Sequence, residues 1–395
     1  MNVIVAHDGR QHVNRLLIAL KQHNWLQHFY SGFASNTLPD FLRSHIRLQN
    51  MLRKREFSQV PSDKISSFYL SALLTRLSSN GYWQVGVAYQ LFARWVAGNL
   101  YQKPDFDLVI GYENANLEFF KAARILKRKT VLDLAQVHHN LIDTICNKFN
   151  INELTAAQNK YINRRKQAAL DQTDYILTLS SFATKSLINN GIKRSRIYEV
   201  NLGIDPGYFR PSPKPGDGRF RVLFTGTITY RKGIEQLLRV FRQLLLPDAE
   251  LLLVGPVGDA GALLAQCTGA IRHVPFLHHD ELITYYQQAD VFVFPSYLDS
   301  WGQVVLEAMA CGTPVIISDN TGAKDAVAKG GGFIIPTGDA AALRGKIKYL
   351  YDHRDEAEQM GYEARRVAEG YTWENYYQQV TDALTDIAQR EGIPV

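Results

Sequence analysis

The chain alternates short apolar runs with longer stretches in which apolar positions recur every three or four residues. Largely apolar runs stand at 3–6, 108–110 and 175–179, and each is followed by a polar or glycine-containing turn. Such runs are typical of strands buried on both faces, and the longer period is typical of amphipathic helices. Strands that alternate with helices predict an α/β fold with a parallel, doubly wound sheet.

One segment interrupts this rhythm. Residues 206–218 contain four prolines and three glycines, a composition typical of a linker. The alternation of strands and helices starts again after this segment and ends near Ile335, beyond which only helices are predicted. We therefore expect two Rossmann-like domains that face a cleft, at 1–205 and 206–373. A terminal helix at about 374–395 is expected to pack back on the first domain.

The carboxyl ends of the strands are where a doubly wound sheet binds its ligands. Gly9, His138 and Ser180 each follow a predicted strand and are therefore candidates for a site. The turn at Gly9 lacks the GxGxxG fingerprint of dinucleotide binding. An ordinary first strand–helix unit therefore explains that turn as well as a ligand-binding loop does.

The composition is that of a globular protein. Of the 395 residues, 46% are hydrophobic and 21% are charged. No run approaches the roughly 20 apolar residues that a membrane-spanning helix needs. The N-terminus lacks a basic start and a cleavage site, so we interpret it as a first strand and not as a signal peptide. Three scattered cysteines argue against a disulfide framework or a zinc cluster, and we expect a cytoplasmic protein.

The charge is distributed unevenly. The net charge is +6, yet basic residues predominate up to about residue 210 and acidic residues predominate after it. Residues 41–57 mix arginine and lysine with leucine, isoleucine and phenylalanine, which predicts a basic amphipathic helix. Such a helix binds an anionic membrane surface, or it covers the domain with its apolar side and leaves its charges in water. No known nucleic-acid-binding motif accompanies the basic residues, and no nucleic-acid partner is expected.

Two carboxylates frame a predicted strand–turn–helix in the second domain. An apolar run at 291–294 is followed by a turn that contains Asp299, and the helix predicted at 303–310 carries Glu307. We expect Asp299 or Ser300 to cap this helix, whose free amides and dipole attract anions. Amides that attract anions, beside carboxylates that bind hydroxyls, are suited to a phosphorylated sugar.

A second loop of this domain carries two cations. The sequence TGTITYRKG at 225–233 follows a predicted strand and opens a helix, so we expect Arg231 and Lys232 near the N-terminus of that helix. The dipole, the amides and the cations together favour a pyrophosphate at that point. The alternative is a pair of surface cations that bind no ligand.

The chain has five motifs, in order and spacing, that resemble those of the retaining glycosyltransferases of family 4, which have the GT-B fold. These motifs are FTGTITYRKGIEQLL at 224–238, LLLVGP at 251–256, DVFVFPSYLDSWGQVVLEAMACGTPVI at 290–316, GGFIIPTGD at 331–339 and YTWENY at 371–376. The resemblance covers the C-terminal half of the chain and reaches back to about residue 173.

The resemblance implies a site for a nucleotide-sugar donor. Glu307 would bind the ribose diol, and Asp299, which stands where the family usually has Glu, would contact hydroxyls of the donor sugar. Arg231 and Lys232 would clamp the diphosphate, while Thr227 replaces an arginine that is common in the family. The other donor-binding positions that the resemblance implies are Gly9, Pro275, Phe276, Leu277, Ser300, Trp301, Gly302, Gln303 and Val304.

The same resemblance implies a histidine in the first domain, and two positions depart from the pattern of the family. His138 is similar to the histidine that the family places near the reacting sugar, with the adjacent His139 as its rival. Pro275 stands where glycine is frequent in the segment that cradles the base, and Gly9 stands alone where many relatives have a glycine pair.

The implied activity is metal-independent transfer of a hexose-type sugar, on one face, from a nucleotide-diphosphate sugar to a hydroxyl acceptor, with a UDP-sugar favoured. The departing diphosphate accepts the proton of the acceptor, so no cofactor is needed and stabilising that diphosphate is the enzyme's main task. The first domain would bind the acceptor, which is a glycan, a lipid-linked sugar or a small molecule. Three alternatives stay open: an epimerase, a phosphorylase, and a non-catalytic subunit that binds nucleotide sugars.

Overall fold

The structure is a computed structural model that describes residues 1–9, 11–38, 55–77, 82–151, 156–267 and 269–395. The basic amphipathic helix predicted at 41–57 lies outside these ranges, apart from its last three residues. Within the described ranges, no helix is both long enough and apolar enough to cross a membrane.

Two parallel β-sheets form the framework of the described chain. The strands of the first sheet are β1 Val3–His7, β2 Leu26–Ser31, β3 Ile65–Ser67, β4 Leu108–Tyr112, β5 Lys129–Leu134, β6 Tyr175–Thr178 and β7 Ile197–Glu199. The strands of the second sheet are β8 Phe220–Thr225, β9 Ala249–Val254, β10 Ile271–Val274, β11 Val291–Phe294, β12 Val315–Ser318 and β13 Gly332–Ile335. Their orders, for the described residues, are β3-β2-β1-β4-β5-β6-β7 and β10-β9-β8-β11-β12-β13. The predicted α/β fold with two parallel sheets is confirmed.

Helices connect the strands and cover the sheets. In the described part of the chain they are α1 Val13–Gln22, α2 Tyr69–Leu77, α3 Tyr82–Gln102, α4 Leu117–Ile125, α5 His139–Phe149, α6 Ala156–Leu170, α7 Ser181–Ile188, α8 Ile234–Leu244, α9 His279–Gln288, α10 Gln303–Ala310, α11 Lys324–Val327, α12 Ala340–Asp352, α13 Arg354–Ala368 and α14 Trp373–Glu391. Every residue of β1, β8 and β11 is buried, as expected for parallel strands with helices on both faces.

The last helix, α14, lies against α1 of the first domain although it follows the second domain in the chain. The Arg15 guanidinium of α1 donates to the Tyr377 hydroxyl at 3.1 Å and lies 4.3 Å from the centre of the Trp373 ring. The Gln379 side chain accepts from the backbone amide of Asn201 at 2.8 Å. The segment that leaves the first sheet is therefore attached to α14.

The two domains also touch beside the loop that follows β11. Val137, Ile145 and Phe182 of the first domain form an apolar cluster with Leu298 of that loop. The Ser181 amide and hydroxyl donate to the two carboxylate oxygens of Asp325, at 2.7 and 2.6 Å. This contact brings the N-terminus of α7 against the second domain.

Candidate functional site

The order of strands reverses once in each sheet, and a crevice opens between the two loops at each reversal. The reversal lies between β1 and β4 in the first sheet and between β8 and β11 in the second. The loop after β8 carries Arg231 and Lys232, and the loop after β11 carries Asp299. Three of the candidate residues therefore lie at one crevice.

Lys232 forms an ion pair with Asp299 across this crevice. The side chains are 15% and 18% exposed, so water screens the pair only in part. Burial by itself raises the pKa of Asp299, but the charge and the hydrogen bond of Lys232 outweigh burial and lower that pKa below its usual value. The carboxylate is therefore ionised at neutral pH. The ammonium of Lys232 also lies 4.7 Å from the centre of the Phe294 ring.

Arg231 connects the same two loops. Its guanidinium donates to the carbonyl of Leu298 at 3.0 Å, and its own carbonyl accepts from the amide of Tyr297 at 2.9 Å. Arg231 also lines a cavity of about 310 Å³ with Glu113 and Asn114 of the first domain. We call this space the Arg231 cavity.

The helix α10 starts without a side-chain cap, so the prediction that Asp299 or Ser300 caps it was wrong. Gly302, with a φ of 87°, is the residue before the helix. Asp299 instead accepts from the amide of Trp301 at 3.0 Å, and the Ser300 hydroxyl donates to the carbonyl of Ala135 in the first domain. Both side chains are therefore engaged elsewhere, and no side-chain hydrogen bond caps the start of the helix.

Glu307 lies on the second turn of α10, and 8% of it is exposed. One carboxylate oxygen accepts from the Tyr286 hydroxyl at 2.8 Å, and that hydroxyl lies 2.8 Å from the Thr225 hydroxyl. Glu307 lines a cavity of about 730 Å³ between the domains, together with Arg15 and Gln303. We call this the interdomain cavity. A carboxylate held in this way is suited to accept hydrogen bonds from a pair of hydroxyls.

The remaining donor-binding candidates differ in how far they are exposed to solvent. Pro275 and Phe276 follow β10 and are exposed, with Phe276 at 64%, and Leu277 beside them is half-buried. Thr227 is exposed in the loop after β8, and Val304 is half-buried on the first turn of α10.

Trp301 and Gln303 are both engaged with neighbouring groups. Trp301 is 2% exposed and packs in the core, where its indole N–H donates to Gln303 at 3.1 Å. Gln303 donates to the carbonyl of Gly203 at 2.9 Å, which ties α10 to the segment that joins the domains.

His138 does not lie with Arg231, Lys232, Asp299 and Glu307. The sequence predicts that a strand leads directly to His138, and this was wrong: β5 ends at Leu134 and a helix, α5, starts at His139. His138 caps that helix by accepting from the amide of Asn140 at 3.2 Å.

The ring of His138 is turned into the first domain. It is 3% exposed and stacks on the ring of His139 at 4.1 Å. Burial lowers the pKa of His138 to about 4. Both rings line a cavity of only about 10 Å³, which contains none of Arg231, Lys232, Asp299 or Glu307.

Gln136 lies where three cavities meet, although the sequence did not single it out. It lines the Arg231 cavity, the interdomain cavity and a third cavity of about 1180 Å³ inside the first domain. We call the third one the first-domain cavity. It is also lined by Gly9, whose amide donates to His7 at 2.7 Å. The signal for Gln136 was its position after β5, two residues before His138.

A buried His–Asp pair was also missed. The ring of His12 lies 3.0 Å from the carboxylate of Asp133, with the two side chains 7% and 2% exposed. His12 lines the interdomain cavity together with Glu307. The two residues are 121 positions apart, and no spacing rule connects them. In the described residues, no three His, Cys, Asp or Glu side chains are grouped in a way that could hold a metal ion.

Comparison with known proteins places the second domain in a family. Residues 208–367 match the family model described as glycosyl transferases group 1. A D-inositol 3-phosphate glycosyltransferase of Streptomyces avermitilis is 30% identical over 223 residues, which are 50% of this chain and 48% of that protein. The O-antigen chain mannosyltransferase B of Escherichia coli is 27% identical over 245 residues, which are 57% of this chain and 64% of that protein. The chain spans about half the length of most of the curated relatives it matches.

Solved structures share the fold over the whole chain. A sucrose-phosphate synthase from Thermosynechococcus elongatus has a TM-score of 0.74 at 19% identity and covers 99% of this chain and 100% of its own. The HepE protein of Anabaena, solved in complex with UDP, has a TM-score of 0.68 at 16% identity and covers 98% of this chain and 100% of its own. The chain thus has the same two-domain fold as these solved structures. The second domain is a group 1 glycosyltransferase domain, and at this level the resemblance found in the sequence is confirmed.

Proposed function

We propose that this protein is a retaining glycosyltransferase that moves a hexose-type sugar from a nucleotide-diphosphate sugar to a hydroxyl acceptor, with UDP as the favoured nucleotide. The observation that carries this proposal is the meeting of Lys232 and Asp299 from two loops at one crevice, with Glu307 on the helix α10 that follows Asp299 in the chain. The match of the second domain to group 1 glycosyltransferases supports it.

Each part of the donor has a matching group at this crevice. The cations Arg231 and Lys232 and the uncapped amides of α10 suit the diphosphate. Glu307 suits the ribose diol, since its carboxylate is oriented by Tyr286 and lines the interdomain cavity. Asp299 suits the hydroxyls of the sugar, and the segment 275–277, in which Pro275 and Phe276 are exposed, is proposed for the base.

The proposed transfer needs no protein nucleophile. The bond between the anomeric carbon and the diphosphate oxygen breaks while the acceptor oxygen bonds to that carbon on the same face. The acceptor's proton moves to the departing diphosphate oxygen, so charge and protons balance. Lys232, Arg231 and the first amides of α10 would stabilise the negative charge that develops on the leaving group.

In this proposal the first domain binds the acceptor. The first-domain cavity meets the two smaller cavities at Gln136, so an acceptor held there would point a hydroxyl toward the donor. A cytoplasmic location and contact with an anionic membrane surface through residues 41–57 stay predictions from the sequence.

Two substitutions test the proposal. A panel of nucleotide sugars in thermal-shift measurements identifies the donor, and transfer rates are then measured with it. We expect Lys232→Ala to lower kcat by about 100-fold, because it removes charge stabilisation in the transition state. We expect Glu307→Gln to raise the KM for the donor by about tenfold with a smaller change in kcat. Lys348→Ala, at an exposed ion pair on α12, is the control and should change neither constant.

Other outcomes would contradict the proposal in recognisable ways. Wild-type kinetics in both variants would remove these residues from the site. Release of a sugar phosphate would indicate a phosphorylase, and an altered sugar on the nucleotide without an acceptor would indicate an epimerase. Nucleotide-sugar binding without hydrolysis or transfer would indicate a non-catalytic subunit.

A further inference from the structure

The first-domain cavity has an apolar wall and a polar floor. The floor contains Asp8 and Glu113, at the ends of β1 and β4, together with Gln136 after β5. The wall contains Tyr69, Leu70 and Leu73 of α2, joined by Phe33 and Tyr89. At about 1180 Å³, the cavity is large enough for more than a single sugar ring.

The wall on α2 exposes three large apolar side chains next to one another. Tyr69 is 37% exposed, Leu70 is 47% exposed and Leu73 is 53% exposed. Single exposed leucines are common on protein surfaces and need no explanation. These three line one concave space, so a molecule that fills the cavity would cover them.

A hydrogen bond joins the helix α2, which forms the apolar wall, to Asp8 on the polar floor. The Ser71 hydroxyl of α2 donates to the carboxylate of Asp8 at 2.7 Å and to the carbonyl of Phe68 at 3.0 Å. Burial raises the pKa of Asp8, and the Ser71 hydrogen bond only partly offsets that rise. Asp8 is therefore a half-buried carboxyl group held in place by Ser71, and its oxygens are suited to accept hydrogen bonds from hydroxyls and not to bind anions.

The cavity is polar at one side and apolar at the other, so the two ends of a bound ligand would meet different surroundings. Gln136 lies at the polar end, where the first-domain cavity meets the spaces lined by Glu307 and Arg231. Leu70 and Leu73 of α2 lie on the apolar wall. The charge of Arg55 acts on the carboxylate of Asp8, and Glu113 forms an ion pair with Lys166 at 3.2 Å. Each of these cations is thus balanced by a carboxylate, which disfavours a charged head group such as a phosphate.

We propose that the acceptor is amphipathic: an uncharged, hydroxyl-bearing head group on the polar floor, and an alkyl or isoprenoid chain along Tyr69, Leu70 and Leu73. This assignment rests on the proposed transferase function and names the class of acceptor for it. The polar floor directs the hydroxyl toward Gln136, and the apolar chain removes the α2 wall from water.

A chain-length series tests this directly and needs no donor. Methyl, butyl, hexyl and octyl β-D-glucopyranosides, each below its micelle concentration, are titrated into the full chain and followed by calorimetry. We expect the affinity to rise by about threefold for each methylene that the cavity covers. An affinity that does not depend on chain length would overturn the proposal.

A matched pair of variants locates the chain on α2. The double variant Leu70→Asp/Leu73→Asp should weaken octyl glucoside binding by at least about tenfold and leave methyl glucoside binding unchanged. Leu245→Asp, at a leucine that is 86% exposed in the second domain, is the control and should behave as the wild type. Thermal unfolding and nucleotide-sugar binding verify that the double variant is folded. A folded double variant that binds octyl glucoside as the wild type does would contradict the proposal.

Transfer assays separate this inference from the function on which it rests. Transfer to methyl and octyl glucosides with equal KM would overturn the amphipathic acceptor and leave the transferase function intact. A chain-length dependence of binding, without transfer from any nucleotide sugar to any of the four glucosides, would overturn the transferase function and leave an apolar-chain site in the first domain.

Discussion

The carboxylate of Asp299 binds two different partners. One oxygen accepts from the Trp301 amide at 3.0 Å and the other pairs with Lys232. A donor diphosphate that binds Lys232 would compete with Asp299 for the ammonium. The released carboxylate oxygen would then be available to the hydroxyls of the sugar, so in the proposed function one ion pair would couple donor binding to sugar recognition.

Tyr286 orients the second carboxylate of the site. Its hydroxyl joins Glu307 to Thr225 and is fully buried, and burial raises the pKa of Tyr286 well above its usual value, so it stays a donor. We expect Tyr286→Phe to lower the free energy of unfolding by about 1–3 kcal/mol, because a buried carboxylate loses a hydrogen bond. The KM for the donor should rise as well.

Urea unfolding and donor kinetics measure these two effects. Tyr362→Phe is the matched control, since that side chain is 62% exposed and its hydroxyl bonds to Glu358 on the surface. Equal effects of the two substitutions would mean that Tyr286 does not orient Glu307.

At the scale of elements, the site depends on two loops that press against each other. A single turn at Tyr230–Lys232 joins β8 to α8 through Gly233, which has a φ of 75°. A Cβ at this glycine would lie 2.2 Å from the carbonyl oxygen of Pro295 at the end of β11. The close approach of the loops after β8 and β11 therefore requires glycine.

Gly233→Ala tests this close approach. We expect the free energy of unfolding to fall by at least about 3 kcal/mol, because left-handed strain adds to a clash with backbone. Gly218→Ala has a similar φ of 73° with no atom within 4 Å of the added Cβ, and should cost only about 1 kcal/mol. Denaturant unfolding of both variants gives the comparison, and similar losses would show that the contact with Pro295 does not matter.

At the scale of the whole molecule, several buried histidines make stability depend on pH. Burial, with His12 nearby, lowers the pKa of His7 to about 3, and burial lowers the pKa of His28 and of His138 to about 4. Their usual value is 6.5, so between that pH and about 4 the unfolded chain binds protons that the folded chain does not. The folded state is therefore stabilised above this window and loses stability as the pH falls through it.

The expected slope has a definite sign. For His7 alone, the free energy of unfolding falls by up to about 1.4 kcal/mol for each pH unit below 6.5. His7→Gln should reduce the slope measured by urea unfolding between pH 7 and pH 4, and the exposed His353→Gln should not. A free energy of unfolding that is constant over this range would contradict the prediction.

The sequence by itself determined the strand–turn–helix units of the second domain that carry Arg231, Lys232, Asp299 and Glu307. The pattern of apolar and polar residues within a strand–turn–helix depends mostly on residues close together in the chain. Such a unit can therefore be predicted from its own sequence. The resemblance to a known family assigned the motifs at 224–238 and 290–316 to one donor site. The order of the strands, in which β8 and β11 are neighbours, brings Lys232 to Asp299 and is known only from the structure. The sequence predicted a side-chain cap for α10 that the structure does not have, because capping depends on the geometry of the turn around Gly302.

Only the tertiary structure decided which groups from distant parts of the chain share a space. His12, just before α1, and Asp133 of β5 are 121 positions apart and meet only in the folded domain, so no local pattern in the sequence predicts their contact. The ring of His138 turns inward as a helix cap, while its neighbour Gln136 lies at the junction of three cavities. The direction of a side chain after a strand depends on the helices that cover the sheet, and those contacts are made only on folding.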